Sequence, residues 1–253
     1  MQPSQTEKGA QGIGMVSVII PTFNEEKYIA DAIKQFEKLT IKHEIIVTDD
    51  KSTDNTVAVA RASQATVILV PEQKHRTIAA NRNEGRRYAS GEFLVFMDGD
   101  SRINDVEVFF KHCLERFEKE KRLVAITARL RVLPDLETFV DSVIYDIFNF
   151  VLGVKNNLFH KGEASGKFQM MRATSFDAVH GFREDLVSRE DANMFQKLAR
   201  VGSISSDNSL TVFHFGRRAH KIGWPKLLWI WMRDSFAVAF FNTSASKEWT
   251  DIR

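Results

Sequence analysis

Short β-branched runs closed by a proline or an acid recur through the first hundred residues, separated by stretches in which apolar side chains return every three or four positions. Val16-Ser17-Val18-Ile19-Ile20-Pro21, Glu44-Ile45-Ile46-Val47-Thr48-Asp49, Thr66-Val67-Ile68-Leu69-Val70-Pro71 and Phe93-Leu94-Val95-Phe96-Met97-Asp98 have the length and residue types of buried strands. Tyr28, Ile29, Ala32, Ile33, Phe36 and Leu39 follow a helical period after Asn24, read as the cap, with Glu25 and Glu26 in the first turn. Ser52, Thr53 and Asp54 offer caps for a helix to Ser63, and a third helix is expected over 77–89. Strands alternating with helices predict an α/β fold, a mostly parallel sheet flanked by helices.

Further on, Asn104 and Glu107 suggest a capping box for a helix with Val106, Phe109, Phe110, Cys113, Leu114 and Phe117 on one face. A strand is expected over 123–132, an amphipathic helix over 139–154, a strand over 168–171, a helix opened by Ser188-Arg189-Glu190-Asp191, and a strand over 211–215. Pro225 starts a last helix to Phe241, rich in Trp and Phe. Its seventeen residues cover roughly 26 Å at 1.5 Å each, short of a hydrocarbon core, and Arg233 and Asp234 interrupt it. It reads as a helix lying on a membrane surface, packed against another subunit, or packed on its own domain.

Composition adds limits. The 253 residues carry a net charge of +2 from interspersed charges, which gives no reason to expect nucleic acid as a partner. The single cysteine, Cys113, excludes an internal disulfide and suits a reducing compartment; it falls on an apolar helix face. Residues 1–14 are polar, without the basic and apolar regions of a secretory signal, and read as a flexible tail. The chain is expected to divide into 15–102, 103–222 and a helical segment 223–253.

The candidate chemistry sits where strands end. Ligands of such sheets bind outside the carboxyl ends of the strands, and Thr22, Asn24, Asp49, Asp50, Asp98 and Asp100 all follow strand ends. In an extended segment Asp98 and Asp100 point to the same side, with Gly99 leaving room for a ligand at the backbone. Hard carboxylate oxygens suit Mg²⁺ or Mn²⁺, and those ions suit phosphates. The first strand runs into Pro21-Thr22-Phe23-Asn24, without the glycine-rich phosphate loop of a nucleotidyltransferase and without Gly-x-Gly-x-x-Gly.

Read in order, Pro21-Thr22-Phe23-Asn24-Glu25, Asp49-Asp50-Lys51-Ser52-Thr53-Asp54, Arg82-Asn83 with Gly85 close behind, Asp98-Gly99-Asp100, Gly181-Phe182-Arg183-Glu184 and Glu190-Asp191 resemble the motifs of family 2 glycosyltransferases of the GT-A fold, over 16–224. Lys51 and His180 depart from that pattern, in which small residues are frequent.

The resemblance implies a metal-dependent, inverting transfer of a hexose from a nucleotide-diphospho-sugar, UDP- or GDP-linked, to a saccharide hydroxyl or a polyprenyl-phosphate or other lipid-linked acceptor. It implies a donor site of Pro21, Thr22, Asn24, Glu25, Asp50, Arg82, Asp98, Gly99 and Arg218, with Asp50 toward the base. It implies a metal bound directly by Asp100, with Asp98 meeting the ribose or a metal-bound water, His214 as a candidate third ligand, and Asp191 as general base. Arg82 has a second reading as a solvated helix residue, His214 as a hydrogen-bonded core residue, and Arg217, Arg218 and Lys221 clamp a diphosphate or face anionic lipid. The expected setting is cytoplasmic, peripheral at the inner membrane face. The competing functions are sugar-1-phosphate nucleotidyl transfer and a non-catalytic nucleotide-sugar-binding subunit.

Overall fold

The computed structural model describes residues 14–63, 65–70 and 77–246; the expected tail before Gly14, Pro71 and 247–253 lie outside them. Strands β1 (Val16–Thr22), β2 (His43–Asp49), β3 (Thr66–Leu69) and β4 (Phe93–Phe96) alternate with α1 (Ile29–Lys34), α2 (Thr56–Ala62) and α3 (Ile78–Tyr88). Then follow β5 (Ser101–Arg102), α4 (Val106–Lys119), β6 (Leu123–Val132) and α5 (Phe139–Gly153), which runs into one π-helical turn at Val154–Leu158. The chain continues through β7 (Gln169–Arg172), α6 (Ala173–Ala178), α7 (Glu190–Leu198), β8 (Ser203–His214), α8 (Arg217–Ile222) and α9 (Trp224–Phe241).

All eight strands form one sheet, in the order β3-β2-β1-β4-β7-β6-β8-β5, so it crosses the expected division at 102. The first four strands pair in parallel, as their apolar runs predict. The second half is mixed: β7 lies antiparallel between β4 and β6, β6 and β8 pair in parallel, and β5 pairs antiparallel with the end of β8. Apolar side chains fill both faces. Ile29, Phe36, Phe110, Cys113 and Phe168 belong to one core, and Phe96, Phe176, Met194 and Phe195 to the other.

Three expected boundaries are corrected. Asn24 is left-handed (φ 53°) and does not cap α1, which starts only at Ile29. Its side chain instead accepts from the Thr53 N–H at 2.6 Å, tying the loop after β1 to the loop after β2. Asp105, not Asn104, caps α4 by accepting from the Val108 N–H, and Glu107 accepts from the Thr40 N–H and hydroxyl rather than closing a capping box. β8 begins eight residues before its apolar stretch, with Ser205, Ser206 and Asp207 buried in it.

Candidate functional site

The carboxyl ends of β1, β2 and β4 adjoin, and each delivers a polar group. Thr22 ends β1 fully buried and donates to Asp49 Oδ2 at 3.0 Å; Ser52 donates to the same carboxylate through its N–H and hydroxyl. Asp49 and Thr22 therefore brace one another beneath the surface, and Asp50, half-buried, is the acid of the pair nearer solvent. Pro21, in β1 opposite Thr48, and Asn24 shape this rim through the backbone and the Thr53 contact.

After β4 the chain turns rather than extends: the Ser101 N–H donates to the Asp98 carbonyl at 3.0 Å. Asp98 and Asp100 still converge, because one ammonium bridges them. Lys167 lies 3.1 Å from Asp98 Oδ2 and 2.6 Å from Asp100 Oδ1. Arg217 holds Asp100 Oδ2 at 3.0 Å and reaches Glu25 at 3.1 Å. Burial alone would raise the Asp100 pKa, but Lys167 and Arg217 outweigh it and hold the carboxyl far below its usual range. A Cβ built on Gly99 would meet Glu25 and Ile20 only at 3.8–3.9 Å, so among the described residues nothing crowds a side chain there.

Arg82 is not a solvated helix residue. It is 1% exposed, the largest fully buried side chain among the described residues, and three carboxyl groups surround it. Its guanidinium lies 2.5 Å from Asp191 Oδ1 and 3.2 Å from both Asp98 Oδ1 and Glu190 Oε1. Gly166 permits the approach, since a Cβ there would stand 2.4 Å from Arg82 Nη2 and 3.2 Å from Asp191 Oδ2. Gln169, buried in β7, adds a 2.5 Å hydrogen bond to Asp191. Burial pushes Asp191 up, Arg82 opposes and Asp98 adds, so the carboxylate is a stronger base than a solvated aspartate.

Glu190 behaves differently from its neighbour. Burial and then Asp191 push it up to about 8, against Arg82. The folded protein therefore keeps a proton that the unfolded chain releases near 4.5; this group's contribution to stability is full below that pH and is lost as pH rises toward about 8. Glu190→Gln is expected to flatten the fall in Tm between about pH 5 and 8, measured by thermal melts across that range. An unchanged slope would contradict the assignment.

His214 ends β8 opposite Ser101 and is buried. The Gly216 N–H donates to its Nδ1 at 3.0 Å, so the proton of the neutral ring sits on Nε2, an atom without a partner among the described residues. Burial lowers its pKa to about 3. Ligating a metal through Nε2 would require the Gly216 bond to break, and in this arrangement no three acid, His or Cys side chains among the described residues form a metal cluster. Arg217 stacks over Tyr28 at 4.5 Å, and Arg218 has Asp234, Glu190 and Asp98 as its acidic surroundings. A cavity of about 400 Å³ opens at the other end of β8, lined by Arg116, Asn157 and Asp207, and takes in none of these residues.

The site thus joins a strand-end carboxylate pair, a buried arginine and a third carboxylate, Asp191, of raised pKa. The sequence description of glycosyl transferase family 2 matches residues 17–180, which carry the Asp98–Asp100 turn, Arg82 and Lys167. The chain belongs to glycosyl transferase family 2.

Among its relatives, chondroitin synthase of Escherichia coli is 26% identical over 201 residues, 78% of this chain and 28% of that protein. An Escherichia coli UDP-Glc:α-D-GlcNAc-diphosphoundecaprenol β-1,3-glucosyltransferase is 36% identical over 88 residues, 34% of this chain and 35% of that protein. The chain thus spans only about a third of the length of these curated relatives. In fold, it is similar to a Pyrobaculum calidifontis mannosyltransferase solved with GDP-Man and Mn²⁺: TM-score 0.72, 20% identity, 96% of this chain and 69% of that one. Staphylococcus aureus TarS 1-349 with UDP-GlcNAc gives TM-score 0.59 and 21% identity, over 79% of this chain and 58% of that one. These are GT-A structures, with the same kind of mixed sheet flanked by helices.

The two departures from the family 2 pattern have a backbone meaning. Lys51 (φ 60°) and His180 (φ 58°) both lie in the left-handed region, where glycine is unstrained. The loops keep the shape that the small residues favour, at a modest local cost. Two residues at the site carried faint signals or none. Gln169 is the polar residue in the apolar run Phe168-Gln169-Met170-Met171, whereas Lys167 is a single lysine after a small-residue stretch.

Proposed function

We propose that this chain transfers a hexose, with inversion, from a nucleotide-diphospho-sugar, UDP- or GDP-linked, to an acceptor hydroxyl or polyprenyl phosphate. The observation that carries this reading is Arg82: one buried guanidinium touches both Asp98 of the strand-end pair and Asp191. It holds the leaving-group side and the acceptor side of a transfer within one side chain's span. Asp191 takes the proton from the acceptor oxygen as that oxygen attacks the anomeric carbon, and the bond from that carbon to the diphosphate breaks on the opposite face. An acceptor phosphate, already ionised, has no proton to lose, and Asp191 then orients it.

Asp98 and Asp100 offer hard oxygens that fit Mn²⁺ or Mg²⁺, and such an ion, when bound, neutralises the departing diphosphate. Asp50 and Glu25 lie along the rim where the nucleoside enters, with Thr22 acting through Asp49. Arg217 and Arg218, on the short α8 between Gly216 and Gly223, supply positive charge toward the phosphates. The relatives whose names specify diphosphoundecaprenol substrates support a lipid-linked acceptor. Incubation with UDP- and GDP-sugars, with saccharide or polyprenyl-phosphate acceptors, tests the proposal. A product of inverted anomeric configuration by NMR supports it; a retained configuration, or hydrolysis alone, contradicts it.

Among the described residues no helix is long and apolar enough to cross a membrane. Yet α9 exposes Trp229, Met232, Phe236 and Phe240 along one side, and α5, packed on it through Phe148 and Trp231, exposes Phe139, Ile147 and Phe150. Exposed apolar side chains on two helices in contact support a membrane-surface location. Trp224 is buried and donates to Asp141 at 2.7 Å, so point changes are a cleaner probe than truncation. Trp229→Glu with Phe236→Glu is expected to lower co-sedimentation with phosphatidylglycerol vesicles at least tenfold. Unchanged co-sedimentation would assign this face to contact with another protein chain.

A further inference from the structure

The four oxygens of Asp98 and Asp100 are divided unequally. The outer two, Asp98 Oδ1 and Asp100 Oδ2, go to Arg82 and Arg217. The inner two, Asp98 Oδ2 and Asp100 Oδ1, both go to Lys167. A cation that ligates both carboxylates must sit where that ammonium sits, because only the inner oxygens face one another across it.

We propose that Lys167 is an internal counter-ion that a divalent cation must displace, so that metal loading and the position of this lysine are mutually exclusive. The inference rests on the metal-dependent reading of the site. An ammonium and a dication cannot share one pair of carboxylates: a metal–oxygen bond is about 2.0–2.2 Å, and repulsion between the two charges at such separations is strong in a partly buried site. Arg82 cannot take the same part, since it is wedged against Gly166 and two further carboxylates. Lys167 can. Its ammonium is a point charge on a flexible four-carbon stem, it is partly exposed, and it lies in the turn that leads into β7. Before loading it neutralises the paired carboxylates; on loading it swings out beside the ion, where the diphosphate of a bound nucleotide offers it a new negative charge. Lys167 thereby weakens the binding of metal alone and favours metal that arrives with a nucleotide.

The test is Mn²⁺ alone, titrated by calorimetry and by the EPR signal of free Mn²⁺ into the full chain, its Lys167→Met variant and its Lys167→Gln variant, each checked for a cooperative thermal melt. The Gln variant keeps the length and a hydrogen-bond donor but removes the charge, so it stands in if the Met variant fails to fold. Removal of the charge is expected to lower the Kd for Mn²⁺ at least tenfold, while Lys167→Arg leaves it unchanged or weaker. Equal binding by the parent and the neutral variants would overturn the role of Lys167 while sparing the metal site. Absence of Mn²⁺ binding in every variant would overturn both.

Discussion

Replacing Arg82 with Ala is expected to cost about 3–5 kcal/mol of folding stability, because it strips the cation from three buried or half-buried carboxylates at once. Asp98 and Asp191 would then face one another without a counter-charge, and Glu190, already pushed up to about 8, would hold its proton still more firmly. Arg82→Lys is expected to recover only part of this, since an ammonium cannot reproduce the fork that spans Nη1 and Nη2 contacts. Urea denaturation of the three proteins measures it. A loss under about 1 kcal/mol for Arg82→Ala would show that the carboxylates need no common partner.

Asp191→Asn is expected to reduce kcat by about 10²–10⁴-fold with a hydroxyl acceptor, while nucleotide-sugar affinity stays within about twofold. The amide keeps the shape and can still accept from Arg82, but it cannot take a proton. With a polyprenyl-phosphate acceptor the same change is expected to cost far less, because no proton has to leave. Steady-state kinetics with both acceptors separates the two roles. Parental rates with each of them would remove Asp191 from the chemistry altogether.

How far the chain could be read from its residues depends on whether the signal was local. β1, β2, β4 and β6 are rich in apolar, β-branched and aromatic residues and declare themselves; the observed spans match the expected ones to within two residues, β6 without any difference. β8 does not, because its first half, Ser203 to Asn208, has Ile204 as its single apolar residue and is held in the sheet by the neighbouring β6 rather than by its own apolar content. The site shows the same divide. Asp98, Asp100 and Asp191 stand out by type and position. What joins them does not: Arg82 meets Glu190 and Asp191 across 108 and 109 residues of chain, and Lys167 meets Asp100 across 67. Spacing along a sequence carries no trace of such contacts. Asn24 is a related case, since its left-handed backbone is fixed by the Thr53 and Ser52 contacts and not by a helix that follows.

A nucleotide site built around Asp98 and Asp100 is what the proposed transfer requires first. Calorimetric titration of the protein with UDP, GDP, CDP and dTDP, with and without Mn²⁺, tests it most directly, with Asp100→Ala as the control. One nucleoside diphosphate is expected to bind only when Mn²⁺ is present, and to lose that binding in Asp100→Ala. Binding of none of them in either condition, or equal binding by the parent and Asp100→Ala, would contradict the account.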